Sequence, residues 1–179
     1  MKTATANLEN DHVHILRLIE VMELIAGQDY PNTEHLEKIV GLIRNFADGL
    51  HHKKEENLLF PKMVEKGFSF NQGPIAVMMN DHVQGRNFVK DMAHNIALYK
   101  AGDKKSLTEL YRSMKGYSEL LRAHIGKENN ILFRLADNAL SEEEQRTLLN
   151  EFQSLANDQS SDYIIQIDTL AGFYNIGNQ

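Results

Sequence analysis

The sequence predicts an all-α fold, an up-down-up-down four-helix bundle carrying a C-terminal helical extension. Three observations predict it. Apolar residues recur at three- and four-residue spacing through long stretches. Only 3 prolines and 11 glycines interrupt the 179 residues. No segment alternates apolar and polar residues well enough to read as a strand. A chain of this length suits one domain, read as a bundle over residues 1–140 and an extension over 141–179, packed on the bundle or at an oligomer interface.

The elements follow in order. A first helix runs from about Leu8 to Ala26 through His12, Ile15, Leu16, Ile19 and Met22, and closes at Gly27. A second starts behind Asn32 or Thr33, either of which can accept from the free amides of a first turn. It runs through Leu36, Ile39, Leu42, Ile43, Phe46, Leu50, Leu58, Leu59 and Met63, and Pro61 is expected to kink or close it. Gly67 to Gly73 connects, and Pro74 opens a third helix to about Lys100. After the turn Ala101-Gly102-Asp103, a fourth helix runs from about Lys105 to Ala136. Ser141-Glu142-Glu143-Glu144 is a capping box that starts a fifth. In the tail, Tyr163, Ile167, Leu170 and Tyr174 form one helical stripe, offered to a partner or a second copy as in a possible homodimer.

Composition excludes several function classes. With 19 basic and 25 acidic side chains the net charge is −6, which disfavours a nucleic-acid or anionic-membrane surface. The absence of cysteine removes disulfides, thiolate catalysis and thiolate-bound metal or iron–sulfur clusters. No apolar run reaches the ~20 residues that cross a bilayer, and the first residues lack a signal peptide's apolar stretch, so a cytoplasmic location is expected. What stands out is 8 histidines.

Their placement carries the chemistry. Asn10-Asp11-His12-Val13 recurs letter for letter as Asn80-Asp81-His82-Val83, and His52…Glu56-Asn57 is answered by His124…Glu128-Asn129. Each half therefore reads as a helix with a lone histidine followed by a helix with His-x-x-x-Glu. Residues four apart share a helix face, so each motif offers an imidazole and a carboxylate to one point. That donor set suits iron, manganese or zinc, and leaving so many ionisable groups buried and unpaired would cost several kcal/mol each. His12 and His52 are assigned to one metal, His82 and His124 to the other, with Glu56 and Glu128 as bridges. The alternative pair, His51 and Glu55, has the same spacing. It extends along Arg44, Asp48 and Lys62, whereas the 52/56 face extends along Leu42, Phe46, Gly49, Leu59 and Met63. His51 and Glu55 are therefore read as rim groups that orient a ligand.

The remaining candidates have simpler roles. Tyr117, two turns before His124 on its face, is a core aromatic with a hydroxyl placed to support catalysis. Arg86 is a rim ion-pairing group, placed also to hold a bound anion. His14, His35 and His94 are read as solvated surface, and the seven methionines as packing.

With these residues the chain resembles the hemerythrin-like, HHE cation-binding family. The pattern His, HxxxE, His, HxxxE is carried by His12, His52–Glu56, His82 and His124–Glu128. Flanking text agrees, from Phe46 to Pro61, at Gly73-Pro74-Ile75 and at Leu121-Arg122-Ala123-His124-Ile125. The resemblance spans residues 7 to 137 and implies a non-haem di-iron centre, two Fe ions joined by oxo or hydroxo and carboxylate bridges. It implies a small ligand (O2, peroxide or NO) that is bound or reduced. Oxygen-carrying members have a further histidine where Met78 stands, and an aspartate at longer spacing where Glu128 stands at i+4. Four histidines favour turnover, sensing or iron donation over reversible carriage. The set is similar to that of bacterial di-iron proteins of nitrosative stress and iron–sulfur cluster repair, whose extra cysteine-containing segment has no counterpart here. Ferritin-like proteins need two Glu-x-x-His motifs. Only Glu9–His12 matches, Met79 standing at the second place. A non-catalytic gas or iron sensor, or a zinc-binding structural bundle, are the alternatives.

Overall fold

The structure, a computed structural model, describes residues 3–156 and 159–176. Four helical rods form the bundle. The first is α1 (Ala4–Ile25), capped by the Thr3 hydroxyl, which accepts from the Ala6 amide. The second begins as α2 (Thr33–Leu42), where Asn32 accepts from the Glu34 and His35 amides. It widens into π-helical turns over Ile43–His52 and Glu55–Leu59 and resumes as α3 (Phe60–Glu65). The third is α4 (Gly73–Lys100), with Pro74 in its first turn. The fourth is α5 (Ser106–Lys127), π-helical over Glu128–Leu132, then α6 (Phe133–Ala139).

Of the two outcomes expected of Pro61, a kink or a close, the second does not occur: the rod continues through it. Proline lacks the amide and crowds the carbonyl four residues back, but the rod is already widened there: the Phe60 amide donates to the Glu55 carbonyl, five residues away. The helix stops instead at Gly67, whose φ of 95° favours glycine.

The core divides into two apolar clusters. One holds Ile15, Ile19, Phe46, Leu50, Val89 and Leu121. The other holds Leu8, Leu59, Phe60, Met78, Leu132 and Phe133. On every rod the changeover falls at the same depth, at His12, at His51 to Glu55, at His82 and at His124 to Glu128. A buried polar layer is thereby clamped between two apolar ones.

The extension is α7 (Glu142–Ala156) and α8 (Gln159–Phe173). The Ser141 capping box forms as read: Glu144 N–H donates to the Ser141 hydroxyl, and Ser141 N–H donates to the Glu144 carboxylate. Leu148 and Phe152 join the second core cluster, Ile167 and Leu170 the first. The tail stripe packs on the bundle: Ile167 is fully buried, and the Tyr163 ring lies 6.2 Å from that of Phe46. The same packing removes two histidines from the expected solvated surface. His14 reaches toward Asp168, which accepts from Arg17 at 2.6 Å, and His35 Nδ1 hydrogen-bonds the Tyr174 hydroxyl at 2.8 Å. His94 is exposed as expected. Among the described residues no helix is long and apolar enough to cross a membrane.

Candidate metal centre

Two groups of side chains in the polar layer are each close enough to hold one cation. One is His12, His51, Glu55 and Glu128; the other is His52, Glu55, His82 and His124, and all seven residues are buried. Both carboxylates span the two groups. Glu55 has one oxygen 3.7 Å from His51 Nε2 and the other 3.5 Å from His82 Nε2. Glu128 lies 3.2 Å from His12 Nε2 through one oxygen and 3.2 Å from His124 Nε2 through the other.

This corrects the sequence reading in three respects. Glu56 stands outside the inner group, while Glu55, read as a rim residue, is fully buried within it. His51 is likewise inside, so five histidines converge where four were expected. His12 partners His51, and His52 joins His82 and His124. The place predicted for a further histidine in oxygen carriers, Met78, is packed in the second apolar cluster.

The widened helix explains how the adjacent His51 and His52 both point inward. In an α-helix of 3.6 residues per turn, neighbours diverge by about 100°. A π-helical turn, bonded i to i+5, puts more residues in each turn and so brings neighbours closer in angle. Gly49 permits it, because a Cβ there would meet the Arg44 backbone oxygen at 2.8 Å. On the fourth rod the same device recurs, with the Phe133 amide donating to the Glu128 carbonyl.

Each imidazole is fixed through its outer nitrogen. His12 Nδ1 meets Asn129 Oδ1 at 2.7 Å, His82 Nδ1 meets Glu56 at 2.7 Å and His52 Nδ1 meets Asp48 at 3.2 Å. His51 and His124 face Asp11 and Asp81, each at 3.4 Å. Ionised carboxylates and amide oxygens only accept, so Nδ1 carries the proton and Nε2 presents its lone pair inward. A second ring of cations holds these partners. Lys54, buried, donates to Asp11 at 2.7 Å and to Asn7 at 2.9 Å; Lys127 pairs with Asp81. Arg86 spans Asp48 at 2.7 Å and Glu56 at 2.6 Å, the ion-pairing role read for it.

The cage fits cations. All four carboxylate oxygens of Glu55 and Glu128, with His82 Nε2 and His124 Nε2, are buried without a hydrogen-bond partner. Acceptors converge here with no donor among them, an arrangement that is costly unless a cation or proton occupies the gap. Burial, reinforced by the neighbouring Glu128 carboxylate, pushes the Glu55 carboxyl well above its usual range. Glu128 is buried too, but His124 and His12 hold its carboxylate low. Burial also lowers His51 well below its usual range and takes His52 to about 4, the latter with help from His82. Neutral imidazole is the ligating form.

A cavity of about 120 Å³ opens beside His52, His82 and His124. Tyr117 lines it, buried, with burial raising its phenol above the usual range. The other group, around His12 and His51, is backed by Phe133, whose ring stacks on His12 at 5.6 Å.

The sequence did carry a signal for this register. An offset of 73 aligns His51, Lys54, Glu55, Leu59 and Phe60 with His124, Lys127, Glu128, Leu132 and Phe133. The offset of 72, which pairs His52 with His124, matches only His, Glu and Asn, and loses the Lys-Glu and Leu-Phe pairs.

The iron–sulfur cluster repair protein DnrN of Neisseria gonorrhoeae is 35% identical over 101 residues, covering 54% of this chain and 64% of that protein. Uncharacterized proteins of Mycobacterium bovis and Mycobacterium tuberculosis are 22% identical over 155 residues, 84% of this chain and 60% of theirs. The chain thus spans less than two thirds of the length of these relatives. No solved structure gives a significant match. The family model of the hemerythrin HHE cation binding domain matches residues 3–136, the whole bundle with its polar layer. The chain belongs to the hemerythrin HHE cation-binding family.

Proposed function

We propose that the polar layer would hold two iron ions, with the five histidines, Glu55 and Glu128 as the residues that bind them, and that the protein binds or reduces a small oxidant there: O2, peroxide or NO. The observation that carries this is the convergence of five histidines and two buried carboxylates whose four oxygens have no hydrogen-bond partner, each imidazole held through Nδ1. Iron bound there supplies redox chemistry and free coordination positions. The chain's residues do the rest. Glu55 and Glu128 balance charge between the two positions; Asp11, Asp81, Asp48, Glu56 and Asn129 hold the ring orientations; the apolar clusters above and below exclude water. Tyr117 stands on the cavity wall, and its proposed role is to donate its hydroxyl to an incoming ligand.

The test is anaerobic loading with Fe(II), metal analysis, then exposure to air, peroxide or NO. Two irons per chain with charge-transfer absorption in the near-ultraviolet and visible agree with the proposal. Failure to retain stoichiometric iron refutes it. A second reading, iron donation for cluster repair, is favoured by the similarity to DnrN. Transfer of iron from the loaded protein to a cluster-free acceptor, with no turnover of oxidant, would select it.

A further inference from the structure

The cavity beside the metal centre is a corridor with a direction. On α4 it is walled by His82, Gly85, Arg86 and Lys90 in succession, so it follows the helix from the ligands toward Lys90. Over those turns the helix rises about 12 Å. The second rod contributes His52, Asp48 and Arg44 in the same outward order, and α5 contributes His124, Leu121 and Tyr117. At its inner end are three imidazoles; at its outer end are Arg44 and Lys90, both exposed.

The charges along it are unequal. Asp48 receives Arg86, which also holds Glu56, and Asp81 is paired with Lys127. Among the described residues Arg44 and Lys90 form no ion pair. In a chain of net charge −6, the mouth of this corridor carries two uncompensated cations and no uncompensated carboxylate of its lining. Its volume of about 120 Å³ is of the order of the ~150 Å³ engineered cavity that takes up benzene, so it has room for a small molecule. Gly85 sets the bore: a Cβ there would stand 3.6 Å from the Tyr117 ring. A methyl group fits in ordinary contact, and a longer side chain would occupy the passage.

We infer that this corridor also admits small anions of a few heavy atoms, besides the neutral molecules named above, drawn in by Arg44 and Lys90 and limited in size by Gly85. The inference rests on the metal-centre reading above and names the class of molecule it takes. Each cation, about 10 Å from the path in water, changes the local anion concentration about twofold, so the pair is worth about fourfold at low ionic strength.

The probes are azide and nitrite as anions and nitric oxide as a neutral molecule, followed by rapid-mixing absorption on the iron-loaded protein. In the double variant Arg44→Gln, Lys90→Gln, anion association falls about fourfold at low salt, and the difference closes by about 0.5 M salt, where screening is nearly complete. Nitric oxide association is unchanged. Gly85→Leu slows all three probes at least tenfold, and Gly85→Ala does not. Iron content, measured on each variant, separates loss of the centre from loss of the route. Independently of iron, nitrite added to the metal-free protein shifts the amide resonance of Gly85, and the double variant weakens that shift. Equal effects on anions and nitric oxide, unaltered rates in Gly85→Leu, or no nitrite shift at Gly85 overturn the inference. Absence of iron binding with the nitrite shift intact would overturn the metal reading alone.

Discussion

Replacing Glu55 with glutamine removes one negative charge from the middle of the polar layer while keeping its shape, and it should move stability and metal binding in opposite directions. In the metal-free protein the Glu55 carboxyl is held well above its ordinary 4.5 by burial and by Glu128. Each unit between folded and unfolded pKa is worth about 1.4 kcal/mol. Whatever the size of the shift, at pH 7 it penalises the native state by at most the gap between pH 7 and the ordinary 4.5, about 3 kcal/mol relative to a neutral isostere. Glu55→Gln relieves that, and for a domain of this size metal-free Tm should rise by up to about 6–12 °C. The parent should gain Tm when iron is added, by mass action on the folded state; the variant should not, and should retain less than one iron per chain. Glu56→Gln is the control. It leaves the inner cage whole and loosens only the support of His82 Nδ1 and Arg86, so affinity should fall by about 10–100-fold with both irons still bound at saturation. Calorimetry of metal-free and loaded forms, with metal analysis after desalting, measures both arms. If Glu56→Gln lost both irons while Glu55→Gln kept them, the assignment of the bridging carboxylate would be wrong.

Three further outcomes follow from the same geometry. His52 is held near pKa 4 in the fold against about 6.5 unfolded, so the unfolded chain takes up the extra proton first. Stability contributed by this residue is therefore present above about pH 6.5 and lost as pH falls toward 4, by about 3 kcal/mol. Metal-free His52→Gln should lack that part of the slope in pH-dependent denaturation, and parallel curves would contradict it. Gly49→Ala drives a methyl into the Arg44 carbonyl at 2.8 Å, which should destabilise the fold by about 1–3 kcal/mol and weaken iron binding. Chemical denaturation and iron titration check it, and a silent substitution would mean that the π-helical turn needs no glycine. Phe152→Ala in α7 empties a fully buried site in the second core cluster and should cost about 3–5 kcal/mol. A loss below 1 kcal/mol would show that the extension is not part of the core.

What the sequence revealed and what it hid have separate physical causes. Helix bounds, the Asn32 and Ser141 caps and the two-half repeat were readable because they depend on local rules. Four of the six assigned inner residues, His12, His82, His124 and Glu128, are in the cage on the same reasoning, and His52 is there with different companions. The failure at Glu56 came from applying the α-helical angle to a stretch that is not α-helical. Face analysis with 100° per residue sent His51 and Glu55 outward with Arg44 and Lys62. The widening between Ile43 and Leu59 turns them in, and nothing in residue type alone announces a π-helical turn. His14 and His35 were misread for another reason. Their partners, Asp168 on α8 and Tyr174 just past its end, lie more than a hundred residues away, beyond any local pattern.

The two halves repeat closely enough that their differences are informative. Asp11, His12, His51, Lys54 and Glu55 correspond to Asp81, His82, His124, Lys127 and Glu128, each set with its own lysine behind its own aspartate. An evenly repeated cage would offer two equivalent metal positions with two histidines each. The symmetry breaks where His52 replaces the buried Ile125, giving one position a third imidazole, and where Glu56 replaces Asn129 behind His82. Both changes fall on the side where the corridor opens. Glu56 supplies the second carboxylate that Arg86 needs to stay pinned against the wall, and Asp48, which supplies the first, also holds His52 Nδ1. The extra imidazole, the pinned arginine and the opening are thus one connected network. Changing His52 to isoleucine, as in the other half, should therefore loosen Asp48 and Arg86 as well as remove a ligand, so its effect on ligand access should exceed that of removing His12 on the closed side.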